Sequence, residues 1–134
     1  MHARDLPNLS ALPLEGLRVL VVEDESLIAI DVEQRCRDSG ASGVTIVSTP
    51  ARLDGDVEFF DAAIVEVVLR GASTAGFARS LMRRGIPFVF GTAHADHQQL
   101  FREFPGVAVV SKPYGGADLV VALARAVRFS KLAR

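Results

Sequence analysis

The stretch Asp61-Ala62-Ala63-Ile64-Val65-Glu66 decides the fold. Its unbroken apolar run reads as a parallel strand buried on both faces. The run ends on an acid, and three other apolar runs also end on polar chemistry. Leu17-Arg18-Val19-Leu20-Val21-Val22 ends in Glu23-Asp24-Glu25, and Ile86-Pro87-Phe88-Val89-Phe90 ends at Gly91-Thr92. Val107-Ala108-Val109-Val110 ends at Ser111-Lys112-Pro113. In an open α/β sheet the carboxyl ends of the strands converge on one crevice, where ligands bind. The pattern therefore predicts a small acidic pocket for a cation and a phosphoryl-like group, with Glu66 at its centre.

Working outward, strands and helices alternate from Gly16 onward. Strands are expected near 17–23, 43–48, 61–66, 86–90 and 107–110. Helices are expected near 26–39, 75–84, 96–103 and 116–132. In the first helix Ile28, Val32 and Cys36 recur every four residues on one face, and Ser39-Gly40 closes it. The stretch from Thr49 to Phe60 contains Pro50, Asp54-Gly55 and Asp56, so the second helix shrinks to a turn or two. Arg70-Gly71-Ala72-Ser73 reads as a loop. The resulting fold class is α/β: a doubly wound, five-stranded parallel sheet in the order 2-1-3-4-5, flavodoxin-like, with a shortened second helix. Residues 1–15, with Pro7 and Pro13 and no period, read as a flexible N-terminal tail or linker. The domain proper is then 16–134.

A chain of 134 residues, 49% of them hydrophobic, suffices for one domain with a substantial core. Its formal net charge of −1 gives no broad pull toward nucleic acid. The late basic residues Arg125, Arg128, Lys131 and Arg134 complement a helix C-terminus. Cys36 is the single cysteine, so no internal disulfide forms and a reducing cytoplasm is the expected compartment. No apolar stretch reaches membrane-spanning length.

Glu23, Asp24 and Glu66 would crowd several negative charges, which is unfavourable unless a cation neutralises them. Mg²⁺ suits such a site, since it takes oxygen ligands from one or two carboxylates and a phosphate. The backbone carbonyl of Val68, just past Glu66, is a further candidate ligand. Lys112 offers a mobile charge for a carboxylate or phosphoryl oxygen, and Thr92 offers a hydroxyl to the same oxygen. Singly these residues say little. An acidic cluster after a strand ordinarily caps the next helix, here through Asp24 or Ser26. Lys-Pro is a common turn element, and His94 and His97 read as a solvated loop rather than a metal pair. Their joint order along the chain carries the argument.

In that order the segments Leu17 to Glu25, Asp61 to Val67, Phe88 to Thr92 and Ser111-Lys112-Pro113-Tyr114 resemble the response regulator receiver domain of bacterial two-component signalling. The resemblance runs from about Leu17 to Phe129. It implies metal roles for Glu23 and Asp24, a switch role for Thr92 and a phosphate-binding role for Lys112. The family's phosphoacceptor aspartate falls on Glu66. It implies a histidine kinase, a phosphotransfer protein or a downstream signalling protein as partners, and no enzymatic activity. Pro87 to Thr92 also resembles a branch of stand-alone regulators, although Thr92-Ala93-His94 departs from that branch's Thr-Gly-Tyr.

Glutamate adds one methylene to the acceptor, about 1.5 Å of bond. A misplacement of about 1 Å costs on the order of a hundredfold in rate when transfer depends on positioning. Two outcomes are expected: Glu66 pairs with Lys112 and fills the site, or it reaches where a phosphoryl oxygen would lie and imitates the phosphorylated state. Mg²⁺ binding is then weakened or absent. The alternatives are a conventional phosphorylatable regulator and a small Mg²⁺-dependent phosphohydrolase with Asp24 as nucleophile. The latter lacks a second acid two residues on, where Ser26 stands. A flavin module is discarded because Glu23-Asp24-Glu25 would repel its phosphate.

In the last helix Val120, Leu123, Ala124 and Val127 should face the sheet. Leu119, Ala122, Ala126 and Phe129 form a second apolar stripe. With Tyr114, that stripe is the candidate surface for a partner or a homodimer.

Overall fold

A computed structural model describes residues 12–54 and 59–132. Seven strands and four helices follow in order: β1 (Arg18–Val22), α1 (Ser26–Asp38), β2 (Gly43–Val47), β3 (Ala62–Val65), β4 (Val68–Leu69), β5 (Ala72–Ser73), α2 (Ala75–Arg83), β6 (Phe88–Thr92), α3 (Gln98–Phe101), β7 (Val109–Ser111) and α4 (Asp118–Leu132). The main sheet is parallel, in the order β2-β1-β3-β6-β7. With the β4–β5 hairpin set aside, this is the 2-1-3-4-5 order expected from the strand pattern. The second helix is reduced to a 3₁₀ turn over Pro50–Asp54.

Alternation along the central strands divides the core between the two faces of the sheet. Leu20, Val22, Ala63, Val65, Phe88 and Phe90 point to the face covered by α2 and α3. There Phe88, Phe90, Phe101 and Phe104 meet with ring centroids 5.4–6.0 Å apart, a spacing that favours edge-on aromatic pairing. Val19, Val21, Ala62, Ile64 and Val89 point to the opposite face, against Val32 and Cys36 of α1 and Leu123 and Val127 of α4. Burial pushes the Cys36 thiol up to about 11, which marks it as an inert core residue rather than a reactive one.

Three local expectations change. Of the expected tail, residues 1–11 lie outside the described residues, but Leu12–Glu15 belong to the domain. Leu14 is fully buried, its N–H donates to the Ser39 carbonyl at 2.8 Å, and the Gly16 N–H donates to the Gly40 carbonyl at 3.0 Å. Burying one leucine contributes about 1.5–3 kcal/mol. Gly40 makes the docking possible: at φ +101 a Cβ would come within 2.9 Å of Glu15 Cα and Leu12 Cβ. Second, α1 begins after Glu25 with no side-chain cap, so neither Asp24 nor Ser26 performs that task. Third, Arg70-Gly71 is the two-residue turn of the hairpin β4–β5. Both residues have positive φ, 49° and 81°, as a mirror-image hairpin turn requires.

Candidate functional site

The sheet brings together at one rim every acid, hydroxyl and amine that ends a strand. Backbone bonds fix them there: Glu23 N–H donates to the Val47 carbonyl, Glu66 N–H to that of Val22 and Lys112 N–H to that of Thr92, at 3.0, 3.0 and 2.8 Å. Glu23 and Glu66 are each only 3% exposed and Thr92 is fully buried.

Glu66 folds back into the pocket and finds a donor for each oxygen. Its Oε2 accepts from the Thr92 hydroxyl at 2.6 Å, from the Val67 N–H and from the Val68 N–H at 3.3 Å. Its Oε1 accepts from the Ala93 N–H at 3.2 Å and lies 3.1 Å from Lys112 Nζ. The Thr92 hydroxyl oxygen in turn accepts from the His94 N–H at 2.8 Å, which holds the hydroxyl toward Glu66. Lys112 Nζ lies 2.5 Å from Glu23 Oε1 and 3.7 Å from Glu25 Oε1. The ammonium thus faces three carboxylates, those of Glu23 and Glu66 nearest. The other Glu23 oxygen accepts from the Glu25 N–H at 3.0 Å.

The two buried glutamates respond in opposite directions. Burial raises Glu23 above the usual carboxylate range, more than Lys112 and the Glu25 N–H lower it. Burial also pushes Glu66 up, but Thr92, the Ala93 N–H and Lys112 outweigh it and hold the carboxyl below that range. For Lys112 burial works against the charge, yet Glu23 and Glu66 overcome it and raise the ammonium. The Glu66 carboxylate is thus stabilised by donors rather than by solvent.

The outer rim differs. Asp24 Oδ2 accepts from the Arg70 N–H at 2.7 Å, and the Arg70 Nε donates to the Ser48 carbonyl at 2.9 Å. Buried Thr74 donates to the Glu66 carbonyl at 2.6 Å and shares that proton with the Val67 carbonyl at 3.1 Å, which ties the hairpin to the end of β3. Sequence reading missed Arg70, Thr74 and the Ala93 N–H; only the Arg70-Gly71 pair hinted at a turn. His94 and His97 are exposed, with rings 5.5 Å apart. Among the described residues they join no group of three metal-binding side chains, whereas Glu23, Asp24 and Glu25 do, with one oxygen each within 4.8 Å of the others.

A hard divalent cation needs carboxylate oxygens that are free to turn toward it. As arranged here, the residues do not fit one. Both oxygens of Glu66 and both of Glu23 have protein partners; Val68, whose carbonyl was the expected further ligand, stands opposite Ser73 in the hairpin.

Of the candidate interface, Tyr114 and Leu119 turn inward. Tyr114 packs on the α1–α4 core over Gly91, where any Cβ would collide with its ring and hydroxyl, and burial raises its phenol well above the ordinary value. Leu119 is 1% exposed because it lies one turn before Leu123 and two before Val127, in the row that meets the sheet. Ala122 and Ala126 are half-buried and Phe129 is 77% exposed. The exposed apolar stripe is therefore Val121, Phe129 and Leu132.

No family model matches the chain, and no curated protein matches it. Solved structures do. The response regulator PhyR from Brucella abortus is 29% identical, with a TM-score of 0.73 over 88% of this chain and 50% of PhyR, so the chain spans half of that protein. A sensor protein from Polaromonas sp. is 24% identical, with a TM-score of 0.74 over 85% of this chain and 98% of the other. The non-phosphorylated HemR receiver domain from Leptospira biflexa is 21% identical, with a TM-score of 0.67 over 83% and 94%. In architecture the chain has the fold of response regulator receiver domains. Among the described residues no helix is long and apolar enough to cross a membrane.

Proposed function

We propose that the chain is a receiver-like signalling module of a bacterial two-component or phosphorelay system in which Glu66 permanently imitates the phosphorylated acceptor. It works through protein–protein contacts and takes up no phosphoryl group. The observation that carries this reading is the Glu66 carboxylate itself, held by the Thr92 hydroxyl at 2.6 Å, the Ala93 N–H at 3.2 Å and Lys112 at 3.1 Å. A switch hydroxyl, a backbone N–H and an ammonium are the donors a phosphoryl oxygen would use. Here they are already engaged by a side chain of the protein. The same engagement blocks chemistry, because an attacking carboxylate needs a free oxygen aligned on phosphorus.

The partners are a histidine kinase, a phosphotransfer protein or a downstream signalling protein in the cytoplasm, and the module is not an enzyme. The last helix supplies a contact face. Phe129 borders an apolar groove of about 440 Å³ with Met82, Ile86, Pro105 and Val107, a setting in which a second copy or a partner can bury it.

The test is intact mass after incubation with a small acyl phosphate and Mg²⁺. Wild type should gain no phosphoryl mass, whereas Glu66→Asp, which retracts the carboxylate by one methylene, should gain one. A stable adduct on Glu66 would return the chain to the conventional phosphorylatable class.

A further inference from the structure

The pocket sets two buried carboxylates against one ammonium. Glu23 and Glu66 are buried glutamates facing one ammonium, that of Lys112, at 2.5 and 3.1 Å. The lysine side chain is only 8% exposed. Two buried carboxylates this near one another do not both ionise without a compensating positive charge. A divalent ion would have to take Glu23 Oε1 and Glu66 Oε1, the two oxygens that face the ammonium, because the protein already uses most of the others. Glu66 Oε2 has three donors, Glu23 Oε2 holds the Glu25 N–H and Asp24 Oδ2 holds the Arg70 N–H. Mg²⁺ demands near-octahedral oxygens at about 2.0–2.1 Å and gives up its water reluctantly. One remaining Asp24 oxygen and the exposed Glu25 do not meet that demand.

We infer that Lys112 is the resident cation of this pocket, so that the wild-type protein binds no Mg²⁺ and removal of the ammonium opens a divalent-cation site built from Glu23, Asp24 and Glu66. The inference rests on the reading of Glu66 as a permanent occupant and extends it to the ion. It assigns Lys112 a role different from phosphate binding: it neutralises the acids in the resting protein. The hairpin contributes as well, because the Arg70 N–H engages one oxygen of Asp24.

The experiment is Mg²⁺ titration of wild type, Lys112→Met and Lys112→Gln, read by calorimetry and by thermal melting. Methionine keeps the length of the lysine stem without its charge, and the glutamine variant gives the same readout should the methionine variant fail to fold. Wild type should show no binding heat and an unchanged Tm up to about 10 mM Mg²⁺. The variants should bind the ion, with a Tm rise of about 5 °C or more at saturation. Wild type stabilised as strongly as the variants would overturn the inference, and so would variants that bind no ion. Wild type that binds Mg²⁺ yet gains no phosphoryl mass would sink this inference alone. A phosphoryl adduct on Glu66 would sink the reading beneath it.

Discussion

The inner and outer halves of the rim both carry carboxylates and behave oppositely. Inside, Glu23, Glu66, Thr92 and Lys112 are packed away from solvent, with each carboxylate oxygen engaged. Outside, Glu25, His94 and His97 lie open to solvent, and half-buried Asp24 makes one bond to a hairpin N–H. Burial therefore separates a structural ion-pair network from a solvated acidic edge. In the inner half each charge depends on its neighbour. In the outer half each is screened by water, where ion pairs contribute little.

The largest break in that contrast should come from Lys112→Met in metal-free buffer. It leaves Glu23 and Glu66 buried without a cation, and chemical denaturation should show a loss of about 3–5 kcal/mol. A smaller loss is expected from Gly91→Ala. The added methyl collides with the Tyr114 ring and must push it off the core, at a cost of about 1–3 kcal/mol by the same measurement. Tyr114 fluorescence should report the displaced ring. The smallest effect belongs to the outer half. Asp24→Asn keeps an acceptor for the Arg70 N–H and should change stability by less than about 1 kcal/mol. A loss from Asp24→Asn as large as that from Lys112→Met would erase the distinction between the two halves.

The fold and the inner rim were legible because the signals are local. A parallel strand buried on both faces must be an apolar run, and the residue that ends it must stand at the rim. Order along the chain then placed Glu23, Glu66, Thr92 and Lys112 together before any coordinate did. The outer rim was not legible. The β4–β5 hairpin depends on positive φ at Arg70, which arginine rarely adopts, and two bonds made by Arg70 to distant residues hold it there. The Ala93 N–H carries no side-chain signal at all. Leu14 looked like tail because its partner is the end of α1, 25 residues on. Leu119 looked like surface because its stripe borders the buried row, and only packing decides which side of that border a residue takes.

Ionisation of Glu66 is the most direct check on the central claim, followed by carboxyl ¹³C shifts across a pH titration. With its folded value held below the ordinary one, Glu66 adds stability above the unfolded carboxylate range and loses it as pH falls through the folded value. Glu23, raised, works in the opposite sense, so its favourable contribution belongs to acid and fades as pH rises through its folded value. The account predicts a Glu66 carboxyl that titrates below the ordinary range and moves up in Lys112→Met. A Glu66 that titrates at or above the ordinary range in wild type, indifferent to Lys112, would contradict it.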